Sequence, residues 1–198
     1  MAQKTTPRRV VSQPEADSGN RRVYIIGGIV GLGIIGLLAL LIFSLQDPKA
    51  LEGVVNLGVQ ERGHDDNATY ADTGLPPAGG IHANNWLNCG IYDAPVASKN
   101  AVHSLEHGAV WLTYQPDLPA DEVDELKQYA RGQNFVIMSP FPGQTSPIAL
   151  TAWGLQLQVE KPKDKRIQQF MDRYIQGPQT PELGASCGGP SAVGNPTG

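Results

Sequence analysis

The sequence is poor in cysteine. It has two in 198 residues, Cys89 and Cys187, which excludes a disulfide-dense scaffold and any site built from four thiolates. It is also poor in charge, with 15 basic and 19 acidic side chains and a net charge of −4. A protein with so little positive charge has no electrostatic footprint for nucleic acid. Histidine is scarcer still. The four present, His64, His82, His103 and His107, fall within 44 positions and occur nowhere else. No internal repeat is visible, so a solenoid or propeller is excluded.

What the sequence does have is one long apolar run. Mean hydropathy is −0.23, yet Val23 to Ser44 reads VYIIGGIVGLGIIGLLALLIFS without a charge. At about 1.5 Å per residue this stretch matches a hydrocarbon core of roughly 30 Å. A cleaved signal peptide is the competing reading. Its apolar region would be shorter and followed by small residues, whereas here Leu45-Gln46-Asp47-Pro48 follows. A single transmembrane helix over 23–44 is therefore expected, with lipid as its partner. Lys4, Arg8, Arg9, Arg21 and Arg22 precede it, and this puts residues 1–22 in the cytoplasm and the rest outside the cell membrane. The polar, aperiodic residues 1–22 read as a disordered tail. From residue 45 onward the chain carries 10 basic and 17 acidic side chains, a net of −7. Outside the membrane, the two cysteines most simply form a disulfide. Closing a loop of 98 positions, it would contribute at most about 4–5 kcal/mol. A thiolate metal site is the alternative.

Residues 45–62 read as a connector with a short strand near 53–59. Gly63 to Tyr92 is dense in Gly, Pro, Asn and Asp, residues that favour turns. Its aromatics Tyr70, Trp86 and Tyr92 argue for a packed loop. Asn100 has the character of an N-cap for a short helix, AVHSLEH, closed by Gly108. Residues 109–114 and 135–139 read as strands and 148–160 as a strand or hairpin arm. Helices are expected over 119–131, with Val123, Leu126 and Ala130 facing inward, and over 165–176, with Ile167, Phe170, Met171, Tyr174 and Ile175 inward. The Gly-, Pro- and Ser-rich residues 188–198 read as a disordered tail. The fold class is α+β, with a small sheet covered by helices in an extracytoplasmic domain over 63–187.

His103 and His107 are spaced i, i+4, which puts both imidazoles on one helix face within reach of one ion. His82 and His64 lie on the loop just upstream, positioned to supply a third and fourth ligand. Imidazole suits both copper and zinc. Met138 is a candidate soft ligand for copper, though its apolar strand favours core packing. His103-Ser104-Leu105-Glu106-His107 also has the form H-x-x-E-H of inverted zinc peptidases, in which Glu106 would activate a water molecule. That motif needs a long helix in a large catalytic domain, and Gly108 stops this helix at once. Glu106 is better read as orienting a histidine from behind. Ser104 lacks the surroundings of a catalytic triad. Asn67-Ala68-Thr69 fits a glycosylation sequon, and Gly27 and Gly31 form a GxxxG pattern that supports helix pairing.

Asn100 to Trp111, NAVHSLEHGAVW, is similar to the signature of a bacterial family of membrane-anchored extracytoplasmic proteins, domain-of-unknown-function family 3105. Pro76-Pro77, Gly79-Gly80, His82, Trp86, Cys89-Gly90-Ile91-Tyr92-Asp93 and Pro95-Val96 match it upstream. Tyr114, Pro116-Asp117-Leu118-Pro119, Ser139-Pro140, Ala152-Trp153-Gly154, Gly177 to Glu182 and Cys187 match it downstream. The residues flanking His82, Ile81 and Ala83, depart from the pattern. The resemblance implies a single-pass protein with an extracytoplasmic domain and places motif histidines on His82, His103 and His107. It implies no activity. Three readings follow: a membrane-tethered domain binding copper or zinc, a non-catalytic domain for a protein partner in the cell envelope, and a zinc hydrolase using Glu106.

Overall fold

The structure, a computed structural model, describes Tyr24, Gly27, residues 31–38 and residues 51–198. The chain divides at Lys49, and the unit Ala50–Gly198 holds everything below. Of the expected membrane segment, residues 31–38 are helical. The remainder of it, apart from Tyr24 and Gly27, and the whole of residues 1–22 lie outside the described residues. Among the described residues no helix is long and apolar enough to cross a membrane.

The second unit is α+β. Six strands form one mixed sheet: β1 (Val54–Asn56), β2 (Gly90–Ile91), β3 (Val110–Tyr114), β4 (Val136–Pro140), β5 (Ile148–Ala152) and β6 (Leu155–Val159), in the order β1-β6-β5-β3-β4-β2. The strand β4 pairs parallel with β3 and β2, and the remaining pairs are antiparallel. Helices α1 (Ser98–Glu106), α2 (Ala120–Ala130) and α3 (Lys165–Tyr174) complete it.

Successive side chains on a strand point to opposite faces, and the core divides accordingly. Val110, Leu112, Tyr114, Val136, Met138, Ile148 and Leu150 meet Leu126 and Ala130 of α2 and Ile167, Phe170, Met171 and Tyr174 of α3. Trp111 and Ile137 face the other way, against Ala101, Val102 and Leu105 of α1. With both faces covered, β3, β4 and β5 are buried throughout, hence their near-continuous apolar sequences. The strand β6 is covered on one face, and on the other only at Gln156, whose Nε2 donates to Pro76 O (3.0 Å). Leu157 and Val159 are buried while Gln158 is exposed, so its alternation is the clearest in the chain. Met138 belongs to the α2–α3 face, the opposite side of the sheet from α1.

Three elements differ from the sequence expectation. The 148–160 arm is a hairpin, turned at Trp153-Gly154 with Gly154 at φ +70°. The helix α1 begins at Ser98, and its N-cap Ala97 makes no side-chain bond. Asn100 is therefore inside the helix, where its Nδ2 donates to the Asn85 carbonyl (2.6 Å). Residues after Cys187 are hydrogen-bonded along 86–91: Val193 N–H donates to Trp86, Asn88 N–H to Val193, Thr197 N–H to Ile91 and Ile91 N–H to Gly198. The edge strand β2 leaves backbone groups that need partners, and the tail supplies them whatever its composition.

Candidate metal centre

Six consecutive residues of α1, Ala101 to Glu106, are buried, because the sheet covers one side and residues 63–92 cover the other. Burying polar side chains on such a helix requires partners for them, and the loop provides these. Ser104 Oγ donates to the Leu87 carbonyl (2.8 Å) and accepts from the Leu87 N–H (3.0 Å). Ala83 N–H donates to Lys99 O, and Leu87 N–H to Asn100 O. A second stretch of chain lies against the loop: His82 N–H donates to Gly63 O (3.0 Å) and Asp65 N–H to His82 O (2.7 Å). These bonds pair His64 with His82 in a short parallel bridge. Tyr70 Oη donates to Ile81 O (2.8 Å) and steadies the same segment.

The result is a cluster of rings on one side of α1. The centroids of His64, His82 and His103 lie 4.7–4.8 Å apart in all three pairs. Trp153 packs edge-on against His82 at 5.8 Å, and Trp86 against His103 at 5.7 Å. Glu106, one turn beyond His103, joins them. One donor atom from each of His64, His82, His103 and Glu106 lies within 4.8 Å of every other. His64 is exposed and the other three are buried.

The hydrogen bonds dictate tautomers. A backbone carbonyl only accepts, so a ring nitrogen bonded to one must carry the proton. His82 Nδ1 donates to Gly80 O (2.8 Å) and His103 Nδ1 to Ala83 O (2.7 Å). In the neutral form of each ring this puts the lone pair on Nε2, the arrangement in which an imidazole is oriented as a ligand. Burial pushes His103 down to about 4, against the pull of its bond to Ala83 and aided by the charges of its histidine neighbours. Its ring is thus neutral across the physiological range.

Glu106 is held from the other side. Arg62 Nε donates to Oε1 (2.7 Å). Burial pushes the Glu106 carboxyl up, but the Arg62 bond and the charges of His82, Arg62 and His103 outweigh it and hold the group below its ordinary value. The second oxygen, Oε2, stands 3.0 Å from His82 Nε2. The contact is not aligned as a hydrogen bond, and both buried atoms lack a hydrogen-bond partner.

The family model described as "Protein of unknown function (DUF3105)" matches residues 64–189. The chain belongs to this family. The matched span begins at His64 and includes all four histidines, Glu106 and both cysteines. No curated protein and no solved structure matches the chain.

Within this DUF3105 domain the residues singled out from sequence separate. His64, His82 and His103 come together. Glu106, expected behind a histidine, joins the donor group itself. His107 stands outside that group, although its ring lies 4.6 Å from His103. The helix ends at Glu106 and His107 caps it. His107 Nδ1 donates to Ser186 O (2.7 Å), and its Nε2 faces Glu182 Oε2 at 3.7 Å. The donor group joins Glu106 to His103 without His107, whereas the H-x-x-E-H motif would put both histidines on one ion. Cys89 and Cys187 are paired with one another, with Cα atoms 5.5 Å apart. Arg62 and Glu182 were not anticipated. Arg62 Nη2 also donates to Glu182 Oε1 (3.2 Å), across 120 positions of sequence, a pairing with no local signal.

Proposed function

We propose that the domain binds one divalent transition-metal ion through His64, His82, His103 and Glu106. The observation that carries this reading is the convergence of three imidazoles and a carboxylate. Two of the imidazoles are locked by their Nδ1 bonds, which leaves Nε2 as the free ring nitrogen, and one donor atom of each of the four residues lies within 4.8 Å of every other. Nitrogen and oxygen donors without sulfur favour zinc or copper(II) over copper(I). A four-ligand set of this kind is one that zinc accepts in tetrahedral geometry.

A purely structural cluster is the competing account. In it, His82 and Glu106 would form an ion pair, and their 3.0 Å separation is the observation in its favour. Their misalignment weighs against it. Elemental analysis of the purified full-length protein, followed by zinc and copper(II) titration, separates the two. The metal reading expects one equivalent bound, abolished in His82→Ala. A protein that copurifies with no metal and binds neither ion at micromolar concentration contradicts it.

The second part of the proposal concerns place. The apolar run 23–44, with basic residues before it and an acidic remainder after it, supports a single membrane anchor with the domain on the extracytoplasmic side. There the ion would be taken from or given to the surroundings, alone or through a protein partner of the envelope.

A further inference from the structure

The four donors of the proposed centre are not equally held, and the inequality has a direction. His82 is fully buried, and its ring is fixed between the Gly80 carbonyl and Trp153. His103 is buried on a helix, with its ring tied to Ala83 O and flanked by Trp86. Glu106 is buried on the same helix and gripped by Arg62. These three have their side chains set before any ion arrives. His64 differs in every respect. It is exposed. Its backbone is pinned by the pairing with His82, but no hydrogen bond holds its ring nitrogens among the described residues. Its imidazole lies against the rings of His82 and His103, and the charge of Asp66 acts on it.

A ligand set of three rigid buried donors and one untethered solvent-facing donor has a built-in weak position. Structural zinc sites fill all four positions with protein ligands, whereas catalytic sites hold the ion with three and leave the fourth to water or substrate. Resting on the metal-binding reading above, we infer that His64 is a displaceable ligand and that its place on the ion is taken by an incoming monodentate nitrogen donor of imidazole type. The buried trio His82, His103 and Glu106 keeps the ion during the exchange. His64 swings out on its free side chain and vacates one coordination position. This is the geometry required to pass an ion to, or receive it from, a histidine offered from outside. No covalent bond to carbon forms or breaks, and the ion keeps its charge.

Cobalt(II), whose visible spectrum reports the number and kind of ligands, tests the inference in full-length protein. Wild type, His64→Ala and His82→Ala are each titrated with cobalt(II), and each loaded sample is then titrated with free imidazole. The expected result is that His64→Ala still binds cobalt, weakened by about 10- to 100-fold, the scale of losing a support rather than the site. Imidazole in excess, binding one per cobalt, then restores the wild-type spectrum, the excess being needed because the free ring lacks the effective concentration of a tethered one. His82→Ala loses far more affinity, and imidazole does not restore it. Two results overturn the inference while leaving the metal reading intact: His64→Ala matching wild type in affinity and spectrum, or His64→Ala losing as much as His82→Ala with no imidazole rescue. Wild-type protein that binds no cobalt overturns both readings.

Discussion

The hydroxyl of Ser104 and the guanidinium of Arg62 each hold a group that has nowhere else to turn. Ser104 Oγ serves both the N–H and the carbonyl of Leu87 from inside α1. Ser104→Ala leaves the Leu87 carbonyl short of its partner, while the Leu87 N–H keeps Asn100 O, at a cost of about 1–2 kcal/mol. A thermal melt is expected to fall by about 3–6 °C for a domain of this size, and an unchanged melt would show that the tie contributes nothing. Arg62→Ala acts on the centre, because it removes the partner of Glu106 Oε1. Zinc affinity measured by competition with a chromogenic chelator is expected to drop by about 10- to 100-fold, while the fold persists since Arg62 is half exposed. Tyrosines report on packing at high pH. Burial pushes Tyr70 and Tyr92 up to about 12 from an ordinary value of about 10. Between those values the unfolded chain has released protons that the folded chain still holds. Stability is therefore intact below pH 10 and is lost as pH rises toward 12. Ultraviolet titration should show these two phenols ionising only as the domain unfolds, and early ionisation would contradict their burial.

At the scale of elements, what could be read in advance was what repeats locally. The inward faces of α2 and α3 were legible at Leu126, Ala130, Ile167, Phe170, Met171 and Tyr174, because an amphipathic helix repeats its pattern over several turns. The strand β2 was not, since two residues carry no period. The order of the tail was also hidden, because its partners are backbone groups of β2 and residues 86–88, and these leave no mark in composition. In the site, the confinement of the histidines to one segment corresponds to the proximity of His64, His82 and His103. The i, i+4 spacing does bring the His107 ring beside His103, at 4.6 Å, but its Nδ1 is bonded to Ser186 O, a partner 79 positions away that leaves no local mark, and the helix ends at Glu106. Gly108, at φ +96°, makes that ending. A Cβ there would stand 3.0 Å from Gln176 Nε2 and from Thr180, so Gly108→Ala combines a disfavoured backbone with a clash. Denaturant unfolding is expected to show a loss of at least about 1 kcal/mol. A neutral substitution would mean that the 176–180 segment moves aside freely.

Across the whole molecule, the Cys89–Cys187 pair closes 98 positions of chain. It also fixes the segment carrying Ser186 and Glu182 against His107 and Arg62. Cys187→Ser is expected to destabilise the domain by about 2–4 kcal/mol, read by denaturant unfolding. Non-reducing mass spectrometry of native protein should find no free thiol, and finding two would reject the pairing. The central claim is the proposed centre. X-ray absorption at the zinc edge of zinc-loaded full-length protein tests it most directly. The account predicts a shell of nitrogen and oxygen only, at about 2.0–2.1 Å, with the multiple scattering of three imidazoles and no sulfur. A sulfur shell near about 2.3 Å, or the pattern of a single imidazole, would contradict it.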